Sequence, residues 1–263
     1  MNRLAGKIAL VMGAGQSPGE TEGNDRAIAR RFAVEGAMVA CADRDPARAE
    51  ETAQAIGDAA FALPCDVARR EECDVAVAAV LARWGRIDVL VNNVGIGGGG
   101  DGPAHRIDEA AFDRIMMVNL KGTLNGIAAA LPAMRAAGRG AIINISSLAG
   151  TAGHHQLAYE VSKAAVNRLT RSTALAQAGH GIRVNAIAPG FMDTPMAVDG
   201  IARARNLPRE HVRAERDAMV PLSKRMGSAA DTASAALFLA SDEAGFITGI
   251  VLPVDGGMGA RIG

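Results

Sequence analysis

The chain has 263 residues, 49% of them hydrophobic but only 3% aromatic, and its 28 basic and 28 acidic side chains give a formal net charge of zero. That length suits one large α/β domain, and the charge balance excludes a nucleic-acid binder, which needs a basic excess. No apolar run reaches the roughly 18–20 residues of a membrane span, and Cys41, Cys65 and Cys73 show neither a CxxC pair nor metal spacing, which points to buried thiols in a reducing cytoplasm.

Along the chain, the apolar run 7–12 predicts a first strand that runs straight into Gly13 and Gly15, followed by a helix over 26–36. Residues 37–43 predict a second strand, and Pro46 opens a helix to about Ile56. A third strand lies within 59–67, a helix within 70–84, and a fourth strand, apolar on both faces, at 87–95. A flexible glycine-rich loop, 95–103, leads to a helix near 108–118 that continues past Asn119 to about Ala137. A fifth strand at 140–147, a long helix at 158–178, a sixth strand at 181–190, a helix near 229–240 and a last strand at 249–257 complete the pattern. Strands alternating with helices imply one α/β domain, residues 1–263, built as a doubly wound parallel sheet with helices on both faces. Gly13, Asp43, Asp66, Asn92, Asn93, Ser146, Ser147, Pro189 and Gly190 all fall at strand carboxyl ends. Such sheets bind ligands there, at the point where strand order reverses.

Tyr159 and Lys163, in "YEVSK", share one face of the long helix. A phenol is a poor base at neutral pH, and an adjacent ammonium favours the phenolate, so the pair suits a tuned acid/base. Tyr159 is also the only tyrosine in the chain.

With these residues in place, the chain resembles the short-chain dehydrogenase/reductase family over nearly its whole length. "NNVG" (92–95), Asn119 in "VNLKG", "NISS" (144–147), "YEVSK" (159–163) and "RVNAIAPGFMDT" (183–194) match its motifs in order, with Val94 in place of an alanine. The resemblance implies a Rossmann-type fold and a hydride transfer between a nicotinamide cofactor and a secondary alcohol or ketone. An epimerase, a dehydratase, a C=C or C=N reductase, or a 3-oxoacyl reductase on an acyl carrier is the alternative on the same scaffold. It implies Tyr159 as proton donor and acceptor, Lys163 lowering its pKa and holding the nicotinamide ribose, a serine on the substrate oxygen, and Asn119 holding a relay water. Strand register favours Ser147 as that serine, whereas counting back from Tyr159 favours Ser146. Gly13, Gly15, Asn24, Asp43, Asp66, Val67, Asn93, Tyr159, Lys163, Pro189 and Thr194 are the implied cofactor contacts, with no metal. Asp43 favours NAD by accepting from the adenine-ribose hydroxyls and repelling a 2′-phosphate. Arg44 follows directly and keeps NADP open. A homo-oligomer, usually a tetramer, is implied on the helices around 108–137 and 158–178, which carry Ile127, Leu131, Met134, Val166, Leu169 and Leu175.

Two regions depart from the pattern or say little. The glycine loop is expanded by about six residues around "SPGETE", and Asp25 stands where the last glycine is expected. Asp25 is expected to turn inward and cap its helix, with Glu20 and Glu22 pointing to solvent. His154 and His155 read as a solvated loop. Residues 191–225 are the implied substrate lid, in which Met192, Met196 and Met219 suit an apolar wall or, equally, plain helix packing. Its Arg203, Arg205, Arg209, Glu210, Arg213, Glu215 and Arg216 read as a solvated helix face. Trp84 reads as packing at a helix end.

Overall fold

The computed structural model describes residues 2–153 and 155–260; His154 lies outside the described residues. The strands are β1 (Ile8–Met12), β2 (Met38–Asp43), β3 (Ala60–Pro64), β4 (Val89–Asn92), β5 (Gly140–Ile145), β6 (Ile182–Pro189), β7 (Met192–Asp193), β8 (Gly227–Ser228) and β9 (Val251–Val254). The helices are α1 (Asn24–Val34), α2 (Pro46–Ile56), α3 (Arg70–Trp84), α4 (Glu109–Met116), α5 (Gly122–Ala137), α6 (Leu157–Gln177), α7 (Gly200–Arg205), α8 (Arg209–Met219) and α9 (Ala229–Ala240). Seven strands form one parallel sheet in the order β3-β2-β1-β4-β5-β6-β9. The order reverses between β1 and β4, which is where such a sheet opens a crevice at its carboxyl edge.

Period-two alternation along the strands sorts the core into two layers. Ala9, Val11, Val39, Val89, Val91 and Ile143 face α1 and α9, whose Ile28, Phe32, Ala233 and Leu237 cover them. Leu10, Met12, Ala40, Leu90, Ile142 and Val184 face the opposite way, toward Val77, Val80, Ile127 and Met134 of α3 and α5. Small side chains allow close approach: a Cβ on Gly126 of α5 would stand 2.3 Å from Asn92 Oδ1. All three cysteines are free and buried. Trp84 packs edge-on to Phe61 at the end of α3.

The limits of α2 and α3 fall where expected, because local chemistry sets them. Asp45 accepts from the Ala47 and Arg48 N–H groups ahead of Pro46, and Gly85 ends α3 with a left-handed backbone. The third, fourth and last strands are shorter than the apolar runs that suggested them. Beyond Pro64 and Asn92 the chain turns away into cleft-lining loops, and apolar composition alone does not mark that turn. Between α4 and α5 lies a π-helical turn, Met117–Lys121, centred on Asn119. Among the described residues no helix is long and apolar enough to cross a membrane.

Candidate active site

A cleft of about 300 Å³ opens at the carboxyl edge of the sheet. Every residue expected to touch the cofactor lines it: Gly13, Gly15, Asn24, Asp43, Asp66, Val67, Asn93, Tyr159, Lys163, Pro189 and Thr194, with Ser147 beside them. The two glycines keep its floor bare. Gly13 has φ +77° and sits against Val94 and the Asn93 backbone, and a Cβ on Gly15 would stand 2.7 Å from Asp43 Cγ and from Arg48 Cβ.

The helix α6 carries Tyr159 and Lys163, and several polar contacts hold it in place. Asn92, Asn144 and Thr170 form a buried chain from β4 through β5 to α6, with bonds of 2.8 and 2.9 Å. Asp101, in the loop after β4, accepts from the Ala158 N–H at 2.9 Å and the Tyr159 N–H at 3.0 Å. Asp101 therefore caps the first turn of α6 from outside the helix, which sequence reading missed. The run "GIGGGGDGP" signalled flexibility, and nothing local linked its aspartate to a helix about 57 residues on.

Of the two serines, Ser147 is the one whose hydroxyl acts on the Tyr159 phenol, favouring its ionised form, and its Oγ accepts from the Ala149 N–H at 3.2 Å. Ser146 is buried and donates to the Lys163 carbonyl at 3.2 Å. The Lys163 Nζ donates to the Ile145 carbonyl at 2.9 Å and the Val94 carbonyl at 3.4 Å, and lies 5.7 Å from the Tyr159 ring centre. Burial pushes this ammonium down to about 8. The expected depression of the phenol is absent from this geometry. Burial raises the Tyr159 pKa, and the Ser147 bond only partly opposes it. A dehydrated phenol loses more by ionising than one hydrogen bond returns.

Asn119 has a structural part that its sequence motif does not announce. Its Oδ1 accepts from the Ile96 N–H at 2.8 Å, and its Nδ2 donates to the Ile96 carbonyl at 2.9 Å and to Ser162 Oγ at 3.0 Å. Both amide protons and one oxygen lone pair are used in this way, so the buried side chain ties the loop after β4 to α6.

Asp25 departs from its expected role. Its helix begins two residues earlier than that cap requires, so Gly23 is the N-cap and Asp25 the second helical residue. Its carboxylate accepts from the Arg26 N–H, at 2.9 Å, and faces the cleft. Burial, with Asp43 adding repulsion, pushes its pKa up to about 7. Glu20 does point outward, and Glu22 pairs with Arg30 at 2.8 Å. Asp43 accepts from the Gly15 N–H and the Asp45 N–H, both at 2.9 Å, so it shapes its own turn as well as lining the cleft. In the segment 191–225, Met192 and Met196 line the cleft and Met219 does not. Arg205, His211 and Glu215 form an exposed cluster, as expected of a solvated face. Arg209 and Arg216 do not follow: Arg209 is buried among carboxylates, and Arg216 stacks 3.7 Å over Phe191. His155 is exposed, in agreement with a solvated loop.

The donor set fits a dinucleotide. The Gly23 N-cap of α1 makes no side-chain cap bond, which leaves the N–H groups ahead of Arg26 for an anion. Only the Asp25 carboxylate opposes a pyrophosphate there. A parallel sheet of this order with a glycine-floored cleft at its switch point defines a dinucleotide-binding α/β enzyme.

Comparison with known proteins narrows the class. Residues 23–259 match a family model described as enoyl-(acyl carrier protein) reductase. The chain is 42% identical to a sorbitol dehydrogenase of Cereibacter sphaeroides, over 97% of this chain and 98% of the relative. It is 39% identical to the 2-(R)-hydroxypropyl-CoM dehydrogenase of Xanthobacter autotrophicus, over 95% and 97%. A crystal structure of a short-chain dehydrogenase/reductase from Burkholderia xenovorans superposes with a TM-score of 0.88 at 42% identity, covering 99% of both chains. The chain belongs to the short-chain dehydrogenase/reductase family. It is an oxidoreductase of the NAD(P)-dependent dehydrogenase type.

Proposed function

We propose that the protein interconverts a secondary alcohol and its ketone, with Tyr159 as the acid/base. The observation that carries this reading is the meeting of the chain's single phenol with the Ser147 hydroxyl and the Lys163 ammonium on one wall of the cleft. When bound, the nicotinamide supplies the hydride acceptor or donor. In oxidation, Tyr159 Oη takes the alcohol proton, and in reduction it returns one to the carbonyl oxygen. The Ser147 hydroxyl donates to that oxygen as negative charge develops. Lys163 places positive charge near the phenol, and its two carbonyl acceptors hold it there. Asn119 acts by position, fixing Ile96 against α6.

Asp43 favours NAD: its carboxylate lines the cleft at the end of β2 and would repel a 2′-phosphate. Residues 191–225 form the substrate lid, with Met192, Thr194 and Met196 toward the cleft. The named relatives are a sorbitol dehydrogenase and a 2-(R)-hydroxypropyl-CoM dehydrogenase, which supports a small, substituted secondary alcohol. A second reading, reduction of a C=C bond, has one specific support in the description of the matching family model. A panel of secondary alcohols, ketones and enones with NAD(H) and NADP(H), followed by nicotinamide absorbance, separates the two. Turnover of enones alone overturns the alcohol reading.

A further inference from the structure

The expanded glycine loop has a second surface, turned away from the cleft and against the lid. The two meet around Arg209, the first residue of α8, whose side chain is only 10% exposed. Its Nη2 donates to Asp193 of β7 and reaches Thr21 Oγ1 at 3.4 Å. Its Nε lies 3.5 Å from Asp199 Oδ2 and 3.7 Å from Glu20 Oε2. Asp199, itself 9% exposed, answers with Oδ1, which accepts from the Glu20 N–H at 3.2 Å. Gly19 completes the joint. A Cβ there would stand 2.6 Å from Pro195 Cβ and 2.9 Å from the Asp199 carboxyl, so only bare backbone fits.

The two sides of this joint reach opposite ends of the cleft. On the loop side, Gly15, Ser17, Gly23 and Asn24 line it beside the α1 N-terminus. On the lid side, Thr194, Pro195, Met196 and Ala197 line it beyond Pro189. One largely buried cation thus bridges carboxylates carried by both. Removing it leaves the Asp193 and Asp199 carboxylates without their shared cation, with Arg213, 3.5 Å from Asp193, as partial compensation. Breaking a buried ion pair from one side is far more damaging than losing an exposed one.

We propose that Arg209 is a positioning residue that latches the expanded glycine loop to the lid, so that the pyrophosphate end and the nicotinamide end of the cleft are held as one unit. The proposal rests on the dinucleotide reading of the cleft. It makes a particular demand on ligands. ADP carries the pyrophosphate but no nicotinamide, and cannot touch the lid's nicotinamide side; loss of the latch nevertheless weakens it, because the loop that holds it loses its support. Adenosine, which meets only the ends of β2 and β3, is unaffected.

The test is calorimetric titration of NADH, ADP and adenosine into the full-length protein and its Arg209→Gln, Gly19→Ala and double variants, with thermal melting to confirm folding. Each single variant is expected to weaken NADH and ADP by about 5–50-fold and to leave adenosine within about twofold. The double variant should lose no more than the weaker single, since both break one joint. Arg209→Lys should recover only part of the loss, because a point charge cannot span Asp193 and Thr21 together. ADP binding unchanged in Arg209→Gln, or losses that add in the double variant, overturns the latch. Should Arg209→Gln fail to fold, Gly19→Ala and Thr21→Val make the same test from the loop side. Failure of the unaltered protein to bind either NADH or ADP overturns the dinucleotide reading instead, a result distinct from tight binding that the variants leave unchanged.

Discussion

Tyr159 and Asp25 are both pushed toward their neutral forms by burial, and this sets opposite demands on pH. For Tyr159 the phenol persists into the alkaline range, so alcohol oxidation, which needs the phenolate, should climb as pH rises through neutrality, while ketone reduction, which needs the phenol, should stay level until the alkaline range. Lys163 loses its charge as pH passes about 8, which should flatten the oxidation limb above that point. Initial rates in both directions across pH check this, and Tyr159→Phe should abolish the limb with a loss of about 10²–10⁴-fold. Asp25 has its folded pKa raised from 3.8 to about 7. The folded chain therefore holds this proton more tightly than the unfolded chain does. The stability cost of ionisation begins as pH rises past 3.8 and is complete above about 7. Asp25→Asn should stabilise the protein at pH 8 by about 1–3 kcal/mol and change little at pH 4, as read by denaturant unfolding at both. The groups facing Asp25, repulsive Asp43 and attractive Arg26, change the size of this effect and not its sign. Residue identity alone could not show this, since a shift of two residues in the start of α1 turned an expected cap into a buried acid.

At the scale of elements, Tyr159 depends on a helix end that its own helix does not cap. Gln156, the N-cap of α6, makes no side-chain bond to it, and the Asp101 carboxylate supplies both acceptors from the loop after β4. Asp101→Ala should cost about 0.5–2 kcal/mol, the range for lost helix caps. It should also lower kcat more than it raises KM for NADH, since it frees the turn that holds Tyr159 and leaves the floor of Gly13 and Gly15 intact. Asp101→Asn, which keeps one acceptor, should recover part of the kcat; equal losses in kcat and nucleotide affinity would contradict the positioning role. The alternation of strands and helices, the strand ends and the Tyr–Lys helix were legible because local periodicity and turn chemistry fix them. The Asp101 cap, the Asn119 tie to Ile96 and the joint between Thr21 and Arg209, 188 residues apart, were not. Each is a pairing of polar groups brought together only by the sheet, and composition cannot distinguish Arg209 from the exposed arginines around it.

For the whole molecule, the apolar side chains left outside the two core layers bear on assembly. Ile127, Met134 and Val166 are buried within the chain, so they are not free to bind a neighbour. Met117, Leu124 and Val161, by contrast, are 40%, 46% and 41% exposed on the α4–α5 arm and α6. A second set, Phe246 and Ile250, lies between α9 and the edge strand β9, and α9 covers the opposite face of the sheet from α5. Large apolar side chains clustered on a soluble surface mark association sites. Two such sites on different elements cannot be covered by a single twofold axis, whereas two isologous contacts close into a tetramer of dihedral symmetry. Sedimentation velocity at micromolar protein is expected to show a tetramer. Leu124→Glu should leave dimers held through β9, and Phe246→Glu should leave dimers held through α5 and α6. A monomeric unaltered protein contradicts the assembly, and a drop to monomers with Leu124→Glu alone reduces it to one interface, since a surviving second contact would still pair the chains.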